Sequence, residues 1–301
     1  MPAVTKINPF TFYGQWKGHP ISDLSAFHSL IKSERASKPV VYLAGDSSLD
    51  NKFWVPSAGP RGEPLPVDVP VVYESFLDPP RPKPDVAFWL NHFLGDKATA
   101  LNTAVEESML RDRDTDLLSH DKFIRDHIRA EDVLIVSVGA NDIALRPNAA
   151  TIRNMFQLAW LTSRSSIESG AASALVYFKH LFGQQVQSYI SRLTEKQRPR
   201  AVIVCMIYYP LEAGAADQSS WADAQLKLLG YNMYPGQLQS AIKKIYDLAT
   251  LTIRIEGTTV VPCALFEAMD GKTKEDYTAR VEPSVEGGRK VRNSTSCMSI
   301  N

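Results

Sequence analysis

The sequence predicts an α/β fold built on a parallel sheet. Two observations carry this. Four short, nearly continuous apolar runs rich in Val and Ile stand at 39–44, 132–138, 200–207 and 258–263, with a weaker fifth at 98–102. Amphipathic helical patterns lie between them. Continuous apolar strands are expected where both faces of a sheet are covered, and strands alternating with helices imply parallel pairing.

Taken in order, 39–44 is the first strand. Residues 53–84 follow as an excursion holding nine of the 19 prolines, too many for a helix or a central strand. Long irregular segments in compact domains are often functional, so this one is either a rigid surface excursion or a wall over a site. Asp85 then caps a helix whose apolar stripe is Val86, Trp89, Leu90, Phe93 and Leu94. After the strand at 132–138 comes a second excursion, 143–170, expected to be helical. Leu175, Phe178, Phe182, Val186, Tyr189 and Leu193 mark a longer helix, and Leu238, Ile242, Ile245 and Leu248 another between 236 and 252. Neither an internal repeat nor a linker separating two cores is visible, so residues 1–301 read as one domain.

Composition excludes several classes of function. The 301 residues are 44% hydrophobic and 22% charged, as in a packed protein. Lys plus Arg equals Asp plus Glu at 33 each, so the chain lacks the basic excess that nucleic acid or an anionic membrane would require. Cys205, Cys263 and Cys297 show no metal spacing and cannot all pair, which suits a reduced, cytoplasmic protein. No apolar run is long enough to span a membrane, residues 1–14 lack the apolar core of a secretory signal, and the Asn293-Ser294-Thr295 sequon is expected to go unused. Neither a phosphate loop nor a zinc or calcium motif is present, so no cofactor and no metal is implied; the expected partner is a small-molecule substrate.

Chemistry gathers at the strand ends. The first strand runs into Gly45-Asp46-Ser47-Ser48, putting a serine at the sheet edge where ligands of open α/β sheets bind, at the start of a helix. A plain helix cap is the bland alternative. The 132–138 strand runs into Gly139-Ala140-Asn141-Asp142, whose Asn141 amide could donate to an oxyanion. The 98–102 strand ends at Asn102-Thr103-Ala104, a small residue with a backbone N–H at the same edge.

These blocks, in this order and spacing, resemble the SGNH hydrolases, the GDSL esterase/lipase family. Gly45, Asp46 and Ser47 match the first block. Gly139, Asn141 and Asp142 match the third, and Asn102 with Ala104 stands at the Asn-x-Gly of the second. The resemblance implies a three-layer α/β/α fold of flavodoxin-like type with a five-stranded sheet. It further implies Ser47 as nucleophile, Asp46 as support for its loop, and an oxyanion hole from the Ser47 and Ala104 N–H groups and the Asn141 side chain, with Gly139 and Asn102 in the binding region.

The last block departs from the family. Asp-x-x-His-Pro is replaced by Ala279-Arg280-Val281-Glu282-Pro283, so Glu282 stands at the histidine and Ala279 at the aspartate. An ordinary carboxylate, with a pKa of about 4.3 against about 6.5 for imidazole, is a poor acceptor for a serine proton unless burial raises it. Arg280 could pair with Glu282 and act the other way. Among the histidines, His120 and His180 are the candidates to replace the missing base: His120 begins a helix near the catalytic edge, and His180 follows the second excursion. His92 and His127 belong to the opposite end of the sheet. The expected activity is hydrolysis of an ester or thioester of a small, partly apolar molecule, or acyl transfer through the same serine. The alternatives are a non-hydrolytic enzyme using Glu282 as acid or base, and an inactive binding relative.

Overall fold

The computed structural model describes residues 5–57, 64–216 and 219–295. Five strands, β1 (Val40–Gly45), β2 (Thr99–Asn102), β3 (Val133–Ser137), β4 (Ala201–Met206) and β5 (Thr259–Ala264), form one parallel sheet in the order β2-β1-β3-β4-β5. Their side chains alternate between two apolar layers. Tyr42, Leu134, Val136, Val202 and Val204 enter one, while Leu43, Val133, Ile135, Ile203 and Cys205 enter the other. That is the period of two that a strand imposes, with both faces covered. On the first face pack helices Ile21–Glu34, Ser119–His127 and Pro235–Leu248, together with the helical run that begins at Leu175–Lys179, passes a π-turn at His180–Gln185 and ends as Val186–Leu193. The second face is covered chiefly by Val86–Leu94 and Val285–Thr295. The architecture is three-layer α/β/α. Each fully buried Leu, Ile or Val contributes about 1.5–3 kcal/mol, so a charge placed at Leu134 or Ile203 would abolish the sheet.

Several expectations need correction. β5 is not a fully buried strand: Thr259 is exposed and only Cys263 is buried. It is the sheet edge, which is why Pro262, lacking an N–H, is tolerated there. The proline-rich excursion is interrupted by a helix, Val71–Phe76, in its proline-free stretch. Its Tyr73 and Phe76 pack into the core against Phe27. Ser47 opens a single turn, not a helix: the Leu49 and Asp50 N–H groups both reach Asp46 O, and the turn ends there. The Asp85 cap forms as expected, accepting from Phe88 N at 2.8 Å, but Phe93 stays 46% exposed. The 143–170 segment is helical at Ala149–Phe156 and Arg164–Ser169, with a π-turn at Gln157–Leu161. No helix among the described residues is long and apolar enough to cross a membrane. Cys297 and, in the proline-rich excursion, Gly59, Pro60 and Gly62 lie outside the described residues, and the side chains of Ser294 and Thr295 in the sequon are likewise not described.

Candidate active site

Gly45 ends β1 at φ +137°, and a Cβ there would lie 1.7 Å from the Ser137 carbonyl oxygen on β3. Only glycine permits this approach, and it turns the chain so that Asp46, Ser47 and Ser48 emerge above the sheet. Asp46 is buried and ties the turn, accepting from the Ser48 N–H at 3.1 Å and the Ser48 hydroxyl at 2.7 Å. Burial raises its pKa to about 6. Ser48 also lies 2.7 Å from the Ser137 hydroxyl, so its oxygen is engaged in the loop. Ser47 differs: its backbone N–H and its hydroxyl make no ordinary hydrogen bond within the protein.

Glu282 faces that serine. It begins β7 (Glu282–Pro283), the second strand of a small antiparallel hairpin with β6 (Tyr277–Thr278), and the turn between them holds Ala279 and Arg280 at positive φ. Glu282 is 1% exposed. Its Oε1 accepts from Trp221 Nε1 at 3.2 Å, while its Oε2 has no partner. Burial raises this carboxyl to about 8; the Ser47 hydroxyl stands near enough to lower it somewhat, and Asp46 raises it further. Arg280 does not pair with Glu282. The hairpin turn directs it to Asp223 Oδ1 at 2.7 Å, to the Leu211 carbonyl and to Asn232.

Asn141 stands in the first turn of a short helix, Ala140–Ala144, begun by Gly139 at φ +108°. Its Nδ2 donates one hydrogen to Ser108 O at 3.1 Å, which leaves the second for a ligand. Asp142 beside it accepts from the Leu110 and Arg111 N–H groups, binding this strand end to the loop after β2. Ser47, Asn141 and Glu282 line the same cleft of about 220 Å³.

Ala104 does not join them. It is fully buried, and its N–H donates to Asn102 Oδ1 at 3.1 Å. Asn102 in turn donates to Leu49 O at 2.9 Å, so it secures the segment after Ser47 and does not line the space beside Ser47. The loop enters the cleft further on, at Glu106 and Glu107. Glu107 sits at φ +59° with its N–H donating to no group. The two histidines are also elsewhere. His120 is packed under the N-terminal segment, its Nε2 2.8 Å from His19 O, and burial lowers its pKa. His180 is exposed and bonded to Gln184. Neither lines the space beside Ser47.

Sequence reasoning missed Glu106. It is 2% exposed and reaches the cleft beside Glu282. Burial, then the charges of Glu282 and Asp50, raise it to about 9; Trp54 Nε1 donates to its Oε1 at 3.2 Å, and its Oε2 has no partner. Its backbone is fixed by Asp50, which accepts from the Glu106 and Gly18 N–H groups and pairs with Lys52 at 2.7 Å in full burial. The signal was present in the sequence: a Glu-Glu pair follows the second strand end directly. Of the proline-rich excursion, Trp54 borders the cleft and Tyr73 does not.

From Ser47 and Glu282 a second cavity of about 120 Å³ runs inward. Met155, Leu158, Phe182, Met206, Ile242 and Ile245 line it, and its walls are almost wholly apolar. Met155 and Leu158 come from the 143–170 excursion, Ile242 and Ile245 from the Pro235–Leu248 helix, Phe182 from the His180–Gln185 turn and Met206 from the end of β4.

The Gly-Asp-Ser and Gly-x-Asn-Asp segments stand at the ends of β1 and β3. No family model matches the chain, and no curated protein matches it. Among solved structures the chain is similar to an extracellular lipase from Streptomyces rimosus, at 12% identity over 86% of this chain and 98% of that one, TM-score 0.43. A carbohydrate acetylesterase from Sinorhizobium meliloti is similar at 13% identity over 86% and 97%, TM-score 0.43. An acetylxylan esterase from Geobacillus stearothermophilus is similar at 13% over 85% and 92%, TM-score 0.39.

Proposed function

We propose that this chain is a serine esterase in which Ser47 is the nucleophile and Glu282 its general base, acting on an ester with an apolar acyl group. One observation carries the reading: a carboxyl buried to 1% exposure, with one oxygen unpartnered, stands beside the Ser47 hydroxyl closely enough for that hydroxyl to lower its pKa. Burial supplies the basicity that an ordinary carboxylate lacks. Once ionised, Glu282 takes the Ser47 hydroxyl proton as Oγ bonds to the acyl carbon. The resulting oxyanion is met by the Ser47 N–H, the second Nδ2 hydrogen of Asn141 and the unbonded Glu107 N–H, which replaces Ala104 in this role. Collapse breaks the acyl–oxygen bond, and the alcohol leaves with the proton held by Glu282. Water then attacks the acyl-serine, gives its proton to Glu282, and the acid departs as Ser47 recovers a proton. The acyl chain occupies the apolar cavity, where each buried methylene contributes about 0.8 kcal/mol. The cysteine pattern favours a reducing, cytoplasmic compartment: Cys205 and Cys263 face each other across β4 and β5 and are free thiols.

The test is hydrolysis of p-nitrophenyl octanoate with mass spectrometry of the quenched enzyme. Wild type should accumulate an octanoyl adduct on the peptide containing Ser47. Ser47→Ala should lose at least ~10³-fold in rate, with an unchanged melting temperature. A Ser47→Ala variant that keeps its rate would overturn the assignment.

A further inference from the structure

The outer cleft is built unlike the inner one. Three tryptophans border it, Trp16, Trp54 and Trp221, and two carboxyls, Glu106 and Glu282, stand among them. The carboxyls are held in matching ways. A tryptophan N–H fixes one oxygen of each at 3.2 Å, and the other oxygen of each is buried with no partner. Two carboxyls this deeply buried lack a counter-charge, although cations stand nearby. Lys52 is locked to Asp50 and to Trp16 O. Lys17 pairs with Glu107 at 3.1 Å on the rim, and Lys83 donates to Lys52 O. Arg280 is turned onto Asp223. Asp46, Asp50 and Tyr208 add no positive charge, and Lys52 offsets Glu106 only in part. The site therefore sets two ionisable carboxyls among tryptophan rings, at the mouth of a chamber that is apolar.

Aromatic rings around carboxylates select large, weakly hydrated organic cations. A ring face attracts a methylated ammonium, and indoles are not metal ligands. No group of three or more His, Cys, Asp and Glu among the described residues is arranged to hold a metal ion. We propose that the outer cleft binds a quaternary ammonium head group, so that the substrate is an acyl ester of a quaternary-ammonium alcohol. The head group lies among Trp16, Trp54 and Trp221 against Glu106 and Glu282, and the chain lies in the apolar cavity. This rests on Ser47 cleaving esters. Bound cation favours the ionised carboxyls, so binding releases protons below about pH 8 and tightens as pH rises toward 9.

Two measurements on the full chain separate this from the esterase reading. One is calorimetric titration with tetramethylammonium chloride at pH 7 and 9, against sodium chloride and against uncharged tert-butanol. The other compares kcat/KM for octanoylcholine with that for 3,3-dimethylbutyl octanoate, its uncharged counterpart of the same shape. The expected results are tetramethylammonium binding that strengthens at pH 9, and a preference of about tenfold for the choline ester. Glu106→Gln should lower that preference, and so should Trp16→Leu, a change at a 40% exposed side chain that the fold tolerates. Cleavage of both esters at equal rates with no tetramethylammonium binding at 100 mM would overturn the head-group site and leave the esterase standing. Tetramethylammonium binding with neither ester cleaved would keep the cation site and overturn the esterase. Neither binding nor cleavage would overturn both.

Discussion

Glu282→Gln tests the electrostatics on which the proposed chemistry depends, and it does so without a substrate. In the unfolded chain a glutamate ionises at about 4.3; in the fold, burial lifts Glu282 to about 8. Between those values the folded protein holds a proton that the unfolded chain has released, so stability is fully present at low pH and falls as pH rises. The gap corresponds to about 5 kcal/mol at 1.36 kcal/mol per unit. Glutamine keeps an oxygen for Trp221 Nε1, so the fold survives, and it has no charge to bury. Urea unfolding followed by circular dichroism should show the two proteins equally stable below about pH 4, with the glutamine variant about 5 kcal/mol more stable at pH 8.5 and inactive throughout. Parallel stability curves would refute the raised pKa. A variant less stable at high pH would mean that Glu282 is an ionised, well-partnered carboxylate, and the base assignment would go with it.

Wild-type hydrolysis should rise with pH and level off above about 8, read as initial rates on an uncharged ester. Gly45→Ala should prevent folding, because the added methyl collides with the Ser137 carbonyl; soluble yield and circular dichroism report it. Arg113→Met should destabilise by about 3–5 kcal/mol in urea unfolding, since it leaves Asp121, its buried ion-pair partner at 2.8 Å, without a counter-charge. Ile242→Trp should fill the inner cavity and shift the preferred acyl chain to shorter lengths across a p-nitrophenyl ester series, leaving acetate turnover nearly intact.

The sheet was readable in the sequence because it is covered on both faces. With no solvent face to break the pattern, β1, β3 and β4 appear as unbroken Val and Ile runs, found to within about a residue at each end. β5 carries the same residue types at an edge, and composition does not report which neighbour is absent. The hairpin of Tyr277–Thr278 and Glu282–Pro283 is too short for periodicity, yet it aims Glu282 at the cleft and Arg280 away from it. Ser47, Asn141 and Glu282, singled out by motif spacing, line one cleft. Glu106 was not, since a buried carboxyl and a solvated one are the same letter until their surroundings are known. Ala104 was misplaced for the opposite reason: a small residue at the right spacing looked available, but Asn102 takes its N–H. His120, expected near that edge of the sheet, is instead bonded to His19 O and does not line the space beside Ser47.

On the proposed chemistry, the replacements at 279 and 282 are one change in design rather than two losses. An imidazole base needs a carboxylate because its two nitrogens are distinct, and the wrong tautomer presents a proton where an acceptor is required. A carboxylate has no tautomer to fix. Its two oxygens are equivalent, so an indole N–H on one of them orients the other, which is what Trp221 does for Glu282. What a carboxylate lacks is basicity, and burial at 1% exposure supplies it. An aspartate at 279 would then be harmful: a second negative charge beside an already costly one would hold Glu282 protonated at working pH. Alanine at that position removes the repulsion. The group that orients Glu282 is then a tryptophan from the segment before helix Asp223–Leu228, and the energy that raises the base comes from withdrawn water.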